Sequence, residues 1–323
     1  MKNNKKIILI AGDPNSINSE IILKTWKKLD KNLKRKIYVI GNYSLLKRQL
    51  NLLNSSIVTK EVKDINENLK TNCLKIININ LNFKNPFKVA KKNASKYVLK
   101  SLILAHNIAI KNEISGIINC AISKDLLLKK NIGVTEFLSK RCKILKNSEV
   151  MMIKSKKFSV CPITTHINLK NVSKSIKKNL LILKINTIQK YYKKLFLKKP
   201  KIGVLGLNPH NAELRKDSEE VKQIIPAIKK LKQLGLKISG PLVSDTIFIK
   251  DFKNYDVIVG MYHDQVLAPF KSIFNFDAIN LTLGLKYLRV SPDHGVAYNL
   301  IKKNKANPSS LLECIKFINK IGK

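Results

Sequence analysis

Acidic side chains are scarce in this sequence: 21 Asp and Glu stand against 62 Lys and Arg, a formal net charge of +41 in 323 residues. Such an imbalance by itself suggests a nucleic-acid or anionic-membrane partner. The lysines, however, are spread over nearly every segment together with many Asn and Ile, which is the mark of a background bias. The best basic stretch with aromatics, IQKYYKKLFLKKPK (188–201), has apolar residues at helical spacing and lysines between them. It is expected to be a solvated helix face, since no nucleic-acid motif accompanies it. Cysteines are also few: five, with no C-x-x-C pair. An odd, scattered set excludes a disulfide framework or zinc ribbon and predicts reduced, mostly buried thiols in a cytoplasmic protein. No apolar stretch approaches the roughly 20 residues of a membrane span. The apolar run after the basic opening MKNNKK is about six residues, short of the roughly 7 to 15 of a signal peptide, and is expected to be a first β-strand. Internal repeats, low-complexity linkers and the dinucleotide fingerprint G-x-G-x-x-G are all missing. Neither a nucleic-acid nor a membrane partner is expected.

What the chain does have is 44% hydrophobic residues in a length that exceeds one ordinary core, so two lobes are predicted. Short Ile- and Val-rich runs alternate with segments of helical period, the pattern of βαβ units and a largely parallel sheet. The expected strands are KIILIAG, KIYVIG, LKIININ, GIINCAI, VMMIKS, FSVCPITT, KIGVLGL, DVIVGMY and AINLTLG. The clearest helix is expected over 86–112, with Pro86 in its first turn. His106 lies inside it and is assigned no chemistry. The polar segment 54–72 has no clear period and is left unassigned.

Several strands end in polar clusters, and ligands of open α/β sheets bind at the carboxyl ends of strands. His166 follows CPITT, His210 follows VLGLNP and His263 follows VIVGMY. Three converging imidazoles would suit a borderline divalent cation such as Zn²⁺, Co²⁺ or Mn²⁺ with open positions for substrate. Spacing alone favours three unrelated loop histidines, because such wide separations form no metal signature.

The residues around the histidines carry more. PITTHINL, VLGLNPHNAE, GPLVSDTIF, MYHDQVLAPFK and INLTLGLKYLRVSPDHGVA, with the opening AGDPNSINSEI, together resemble the 4-hydroxythreonine-4-phosphate dehydrogenase family of vitamin B6 biosynthesis. The resemblance implies an α/β, two-lobed isocitrate/isopropylmalate-dehydrogenase-like fold with a largely parallel sheet and a cleft between lobes. Residues 1–323 would form one catalytic unit, its lobes near 1–130 plus 290–323 and 131–289, working as a homodimer. It further implies His166, His210 and His263 as metal ligands shared between subunits, and Thr135, Lys271, Asn280 and Arg289 at the substrate. DHGVA resembles the segment lining the cofactor's adenine, which makes His294 and Gly295 the expected cofactor residues. Asp245 and Asp264 are candidates to orient the imidazoles, with a turn or cap aspartate equally plausible for each.

The implied activity is NAD-dependent oxidation and decarboxylation of 4-phosphooxy-L-threonine, with NADP as a possible substitute and one Zn, Co, Mg or Mn ion per site. A metal would weaken the hydroxyl proton and hold the ketone oxygen's charge, Lys271 would hold an anionic group, and Arg289 offers a planar fork to another. Three readings compete: the same fold acting on a threonate- or erythronate-type phosphate, a metal-dependent hydrolase, and a nucleic-acid binder driven by charge. Departures from the family pattern bear on the first of these. Val134 stands where a histidine is usual, CAISK (120–124) lacks the usual glycine, proline and histidine, and Asn299 replaces an aspartate. Asn15, Ser16 and Asn18 replace glycines of the opening loop, which is therefore expected to be reshaped if those positions need positive φ.

Overall fold

The computed structural model describes residues 5–67, 72–111, 114–127, 133–156, 158–274 and 278–322. The chain divides into two compact units, Met1–Cys142 with Leu285–Lys323, and Lys143–Gly284. The described strands are β1 (Lys6–Ile10), β2 (Ile37–Gly41), β3 (Thr59–Val62), β4 (Leu74–Asn78), β5 (Ile114–Asn119), β6 (Val150–Lys154), β7 (Ser159–Pro162), β8 (Ile202–Leu205), β9 (Ile238–Leu242), β10 (Val257–Gly260), β11 (Ile279–Leu283) and β12 (Arg289–Pro292). The class is α/β, as the alternating pattern predicts.

In the first unit the strand order is β3-β4-β2-β1-β5-β12, and every pairing is parallel. Parallel strands need crossovers that cover both faces, so they are apolar on both. Ile8, Ile10, Tyr38 and Ile40 enter one core cluster with Tyr97, Val98 and Leu102 of the helix Lys91–Ile110. Ile7 and Leu9, at alternate positions, point to the other side and are equally buried.

In the second unit the order is β11-β6-β7-β10-β8-β9, with β6 antiparallel to both neighbours and the other pairs parallel. Its core gathers aromatic rings: Phe158 lies 5.0 Å from Phe252 and 6.2 Å from Phe270 between centroids. All five cysteines are buried and none is in a disulfide. No helix among the described residues is long and apolar enough to cross a membrane.

Three strands were not legible. β3 (TKEV) is polar and pairs with only β4, β9 (ISGPL) is broken by Gly240 and Pro241, and β12 (RVSP) begins with an arginine. The helix expected over 86–112 starts later, at Lys91. Residues 85–90 are instead held as a loop: Asn85 Oδ1 accepts from Phe87 N, Pro86 O accepts from Gln49, and the Asn15 side chain takes both backbone groups of Val89. The helix reaching into 188–201 spans Lys178–Phe196 and ends where Leu197 turns left-handed, φ 56°.

Lys75 is fully buried in β4, its Nζ donating to Arg35 O and lying 4.1 Å from the Tyr38 ring centroid. Burial first, and the charge of Lys6 second, push its pKa from 10.5 down to about 8. A depressed lysine pKa means that the unfolded chain binds more protons between those limits, so stability rises with pH there. The cost of burying the ammonium is fully present below pH 8 and relieved as pH approaches 10.5, about 3 kcal/mol at ~1.4 kcal/mol per unit. Relative to Lys75→Met, the native protein should therefore gain stability between pH 8 and 10. Thermal or urea unfolding of both proteins across that range checks the sign, and a constant difference would refute it.

Candidate active site

Four parallel strands of the second unit, β7, β10, β8 and β9, lie side by side, so their carboxyl ends form one edge. The side chains just beyond those ends are His166, His263, His210 and Asp245, in the same order as their strands. Neighbouring strands are ~4.8 Å apart, which brings side chains on adjacent ends within reach of one another. The rings of His166 and His263 are 5.8 Å apart between centroids, and His210 Nε2 lies 4.0 Å from Asp245 Oδ2.

Each loop is fixed by identifiable bonds. Thr164 donates from N and Oγ1 to Met261 O (3.1 and 2.7 Å), tying the His166 loop to that of His263. His263 opens the helix His263–Phe274, and its Nδ1 is 2.7 Å from Asp264 Oδ1. The carboxylate can only accept, so Nδ1 carries the proton and Nε2 keeps the lone pair that can bind a metal.

His210 is held differently. It begins a run of left-handed residues, His210, Asn211, Ala212, Glu213 and Leu214, with φ between 47° and 57°. Left-handed geometry costs an L-residue on the order of 1 kcal/mol, so the surroundings must over-determine it. The chain entering this run is anchored by Glu220, fully buried, whose Oε1 accepts from Leu207 N and Asn208 N (2.7 and 2.8 Å) while Oε2 accepts from Asn208 Nδ2. Asn211 Nδ2 adds a bond to Pro241 O, and a Cβ on Gly206 would lie 2.1 Å from Asn211 Oδ1, so a larger residue there would displace the Asn211 side chain.

Lys271 stands two turns into the same helix as His263, some 12 Å along the axis at ~1.5 Å per residue. Asn280 pairs with Ile153 in β6, which pairs with Val160 of β7, short of the strand end that leads to His166. One chain thus brings His166 and His263 together and places Asp245 beside His210, but keeps Lys271 and Asn280 off that edge. Among the described residues no group of three or more His, Cys, Asp or Glu side chains could hold a metal.

The remaining predicted residues belong to the first unit. Arg289, the first residue of β12, is 4% exposed, and burial lowers its guanidinium to about 10. Its Nε donates to Asn119 Oδ1 (2.7 Å) and its Nη1 to Thr135 Oγ1 (3.3 Å). Thr135 is in the first turn of the helix Val134–Arg141, while Val134 packs on the core cluster with Phe137 and Tyr287. Asn119, the last residue of β5, was not anticipated. The only signal for it is its place at a strand's carboxyl end.

In DHGVA, His294 Nδ1 is 2.9 Å from Gly295 O, so Nδ1 donates and Nε2 is the accepting nitrogen. That Nε2 is buried with no hydrogen-bond partner, and burial lowers the ring's pKa, which keeps it neutral. Gly295 is exposed with open space where a Cβ would be. The segment leans on the opening loop, with Ile17 N donating to Val296 O and Tyr298 OH to Asp13 Oδ2. In that loop only Gly12 has positive φ (78°). Asn15, Ser16 and Asn18 need no left-handed backbone; Asn15 clamps Val89 and Asn18 Nδ2 donates to Ala121 O.

Two α/β units, each built on a largely parallel stretch of sheet and one carrying imidazoles at adjacent strand ends, define the class as the isocitrate-dehydrogenase-like α/β fold. The fold agrees: an isocitrate dehydrogenase from Methylococcus capsulatus superposes with a TM-score of 0.50 at 10% identity, covering 98% of this chain and 85% of that one. Residues 32–318 match PdxA, the pyridoxal phosphate biosynthetic protein PdxA, and the chain belongs to that family of oxidoreductases. A 4-hydroxythreonine-4-phosphate dehydrogenase of Aquifex aeolicus is 37% identical over 98% of each chain. The crystal structure of the enzyme of that name from Klebsiella pneumoniae gives a TM-score of 0.86 at 26% identity, covering 99% of this chain and 100% of that one. A relative from Oceanobacillus iheyensis, 32% identical over 96% of each chain, is provisionally named a D-threonate 4-phosphate dehydrogenase.

Proposed function

We propose that the protein oxidises and decarboxylates 4-phosphooxy-L-threonine with NAD⁺ and a divalent cation, giving 3-amino-2-oxopropyl phosphate, CO₂ and NADH. The observation that carries this reading is the row of His166, His263 and His210 on adjacent parallel strand ends. The donor set fits a borderline metal: three imidazoles, one with its Nδ1 committed to a carboxylate. Since one chain gathers two of them, the third ligand would come from a second copy, and Lys271 and Asn280 would likewise meet the site in a homodimer.

When bound, the cation supplies Lewis acidity to the substrate's hydroxyl and to the ketone oxygen that replaces it. A bound nicotinamide would supply the hydride acceptor for the carbinol carbon, and the β-keto acid so formed would lose CO₂. The electron pair left on the α-carbon is then protonated. Arg289 binds an oxyanion of the substrate from a fork held in plane by Asn119 and Thr135, and Lys271 adds a point charge to another. His294 suits the cofactor because its neutral ring presents a buried acceptor, Nε2, that an adenine amino group would satisfy. NADP could enter the same place. Buried, unbridged thiols suit a reducing cytoplasm.

A second reading, D-threonate 4-phosphate as substrate, is favoured by Val134, which replaces a polar contact by core packing. The two substrates differ in an ammonium against a hydroxyl on the α-carbon. Metal-stripped protein should form NADH from NAD⁺ and 4-phosphooxy-L-threonine only when Zn²⁺, Co²⁺ or Mg²⁺ is returned, with kcat/KM above that for D-threonate 4-phosphate. The opposite ranking would establish the second reading, and turnover without nicotinamide would refute both.

A further inference from the structure

We infer that Gln265 is the positioning residue that locks the strand ends bearing His263, His210 and Asp245 into one edge. The consequence for metal binding rests on the function proposed above; the lock itself does not. Gln265 Oε1 accepts from Met261 N (2.7 Å), and its Nε2 donates to Gly206 O (2.7 Å) and Ser244 Oγ (3.3 Å). Met261 precedes His263 by two residues, Gly206 precedes His210 by four, and Ser244 adjoins Asp245.

The place of these bonds explains the need. β10 and β8 are paired from Val257–Val259 to Ile202–Val204, after which their chains diverge. Met261 N and Gly206 O lie just beyond the last rung, where backbone groups have lost their ladder partners. A primary amide at the first turn of the helix His263–Phe274 can serve both, because it carries one acceptor and two donors. The side chain therefore adds one more rung between β10 and β8 and extends a bond to the turn after β9. With the two Thr164 bonds to Met261 O, the ties run unbroken from the His166 loop to Asp245. Asn is one methylene too short, Glu would set an acceptor against the Gly206 carbonyl, and Met fills the volume with no polar group.

The test compares Gln265→Met and Gln265→Glu with the native protein by hydrogen–deuterium exchange read by mass spectrometry, and by calorimetric titration of the metal-free proteins with Co²⁺. Gln265→Met should exchange at least 10-fold faster at 261–265, 206–211 and 244–247. Gln265→Glu keeps the bond from Met261 N, so it should speed exchange at 206–211 and 244–247 while sparing 261. Both variants should bind Co²⁺ 10- to 100-fold more weakly, the usual loss when a group orienting ligands is removed. Exchange unchanged at 206–211 in both variants overturns the inference. So does acceleration spread evenly over both units, which is what mere destabilisation gives. Should Gln265→Met fail to fold, the segment pattern of Gln265→Glu decides alone. If the native protein takes up no Co²⁺, the metal reading falls, and the exchange pattern still judges the lock.

Discussion

His210→Ala is expected to abolish metal-dependent turnover, lowering kcat by on the order of 10³-fold or more, because the function proposed above makes this imidazole a ligand of the cation and a methyl group cannot replace it. The fold should survive. The His210 side chain is 71% exposed, so its removal empties no cavity, and the bonds that hold its loop come from Glu220 and Asn211 rather than from the histidine. A change in stability within ~1 kcal/mol is expected, as for other exposed positions. NADH formation with Co²⁺ or Zn²⁺ returned in excess, together with thermal unfolding, measures both. Normal turnover would remove His210 from the metal and leave it to its contact with Asp245.

Arg289→Met should be nearly as damaging, by a different route. The guanidinium is buried, remains charged through neutral pH at a pKa of about 10, and is aimed by Asn119 and Thr135. Losing a buried, hydrogen-bonded charge that meets an anion costs about 3 to 4 kcal/mol, or 10²- to 10³-fold in kcat/KM. On the proposed function the fork would hold the substrate anion in the ground state as well as the transition state, so most of the loss should fall on KM. Arg289→Lys should recover only part of it, since one ammonium cannot bond Asn119, Thr135 and substrate in a plane. Steady-state kinetics for the two variants distinguish these effects, and a wild-type KM in Arg289→Met would show that the fork faces no substrate.

The ends of β7, β8 and β10 were readable because each is a short apolar run stopped by a polar cluster, and periodicity reports such boundaries directly. β3, β9 and β12 were not, for the opposite reason. A polar edge, a Gly-Pro pair and an arginine at the first position each break the alternation that a reader counts. The histidines could be named from local motifs, yet their neighbours could not. Asn119 reaches Arg289 across 170 positions, and Gln265 reaches Gly206 across 59. Such pairs are set by strand order, to which local pattern is blind. The replaced glycines of the opening loop show a related limit. Asn15 and Asn18 look like losses of backbone freedom in one dimension and are side-chain clamps in three.

The strands of the histidine edge are made in the order β7, β8, β9, β10 but lie in the order β7, β10, β8, β9. The last of them is therefore a wedge between the first two. While a nascent or refolding chain lacks residues 257–260 in place, β7 and β8 have nothing to pair with across the gap, and no two of the three histidines are neighbours. Closing that gap requires contacts far apart in sequence, a slow kind of step. The edge is thus expected to complete late in folding, and any ligand that needs it would select finished molecules and hold them folded by mass action. Partly folded chains would have no means of competing for the same ion or substrate.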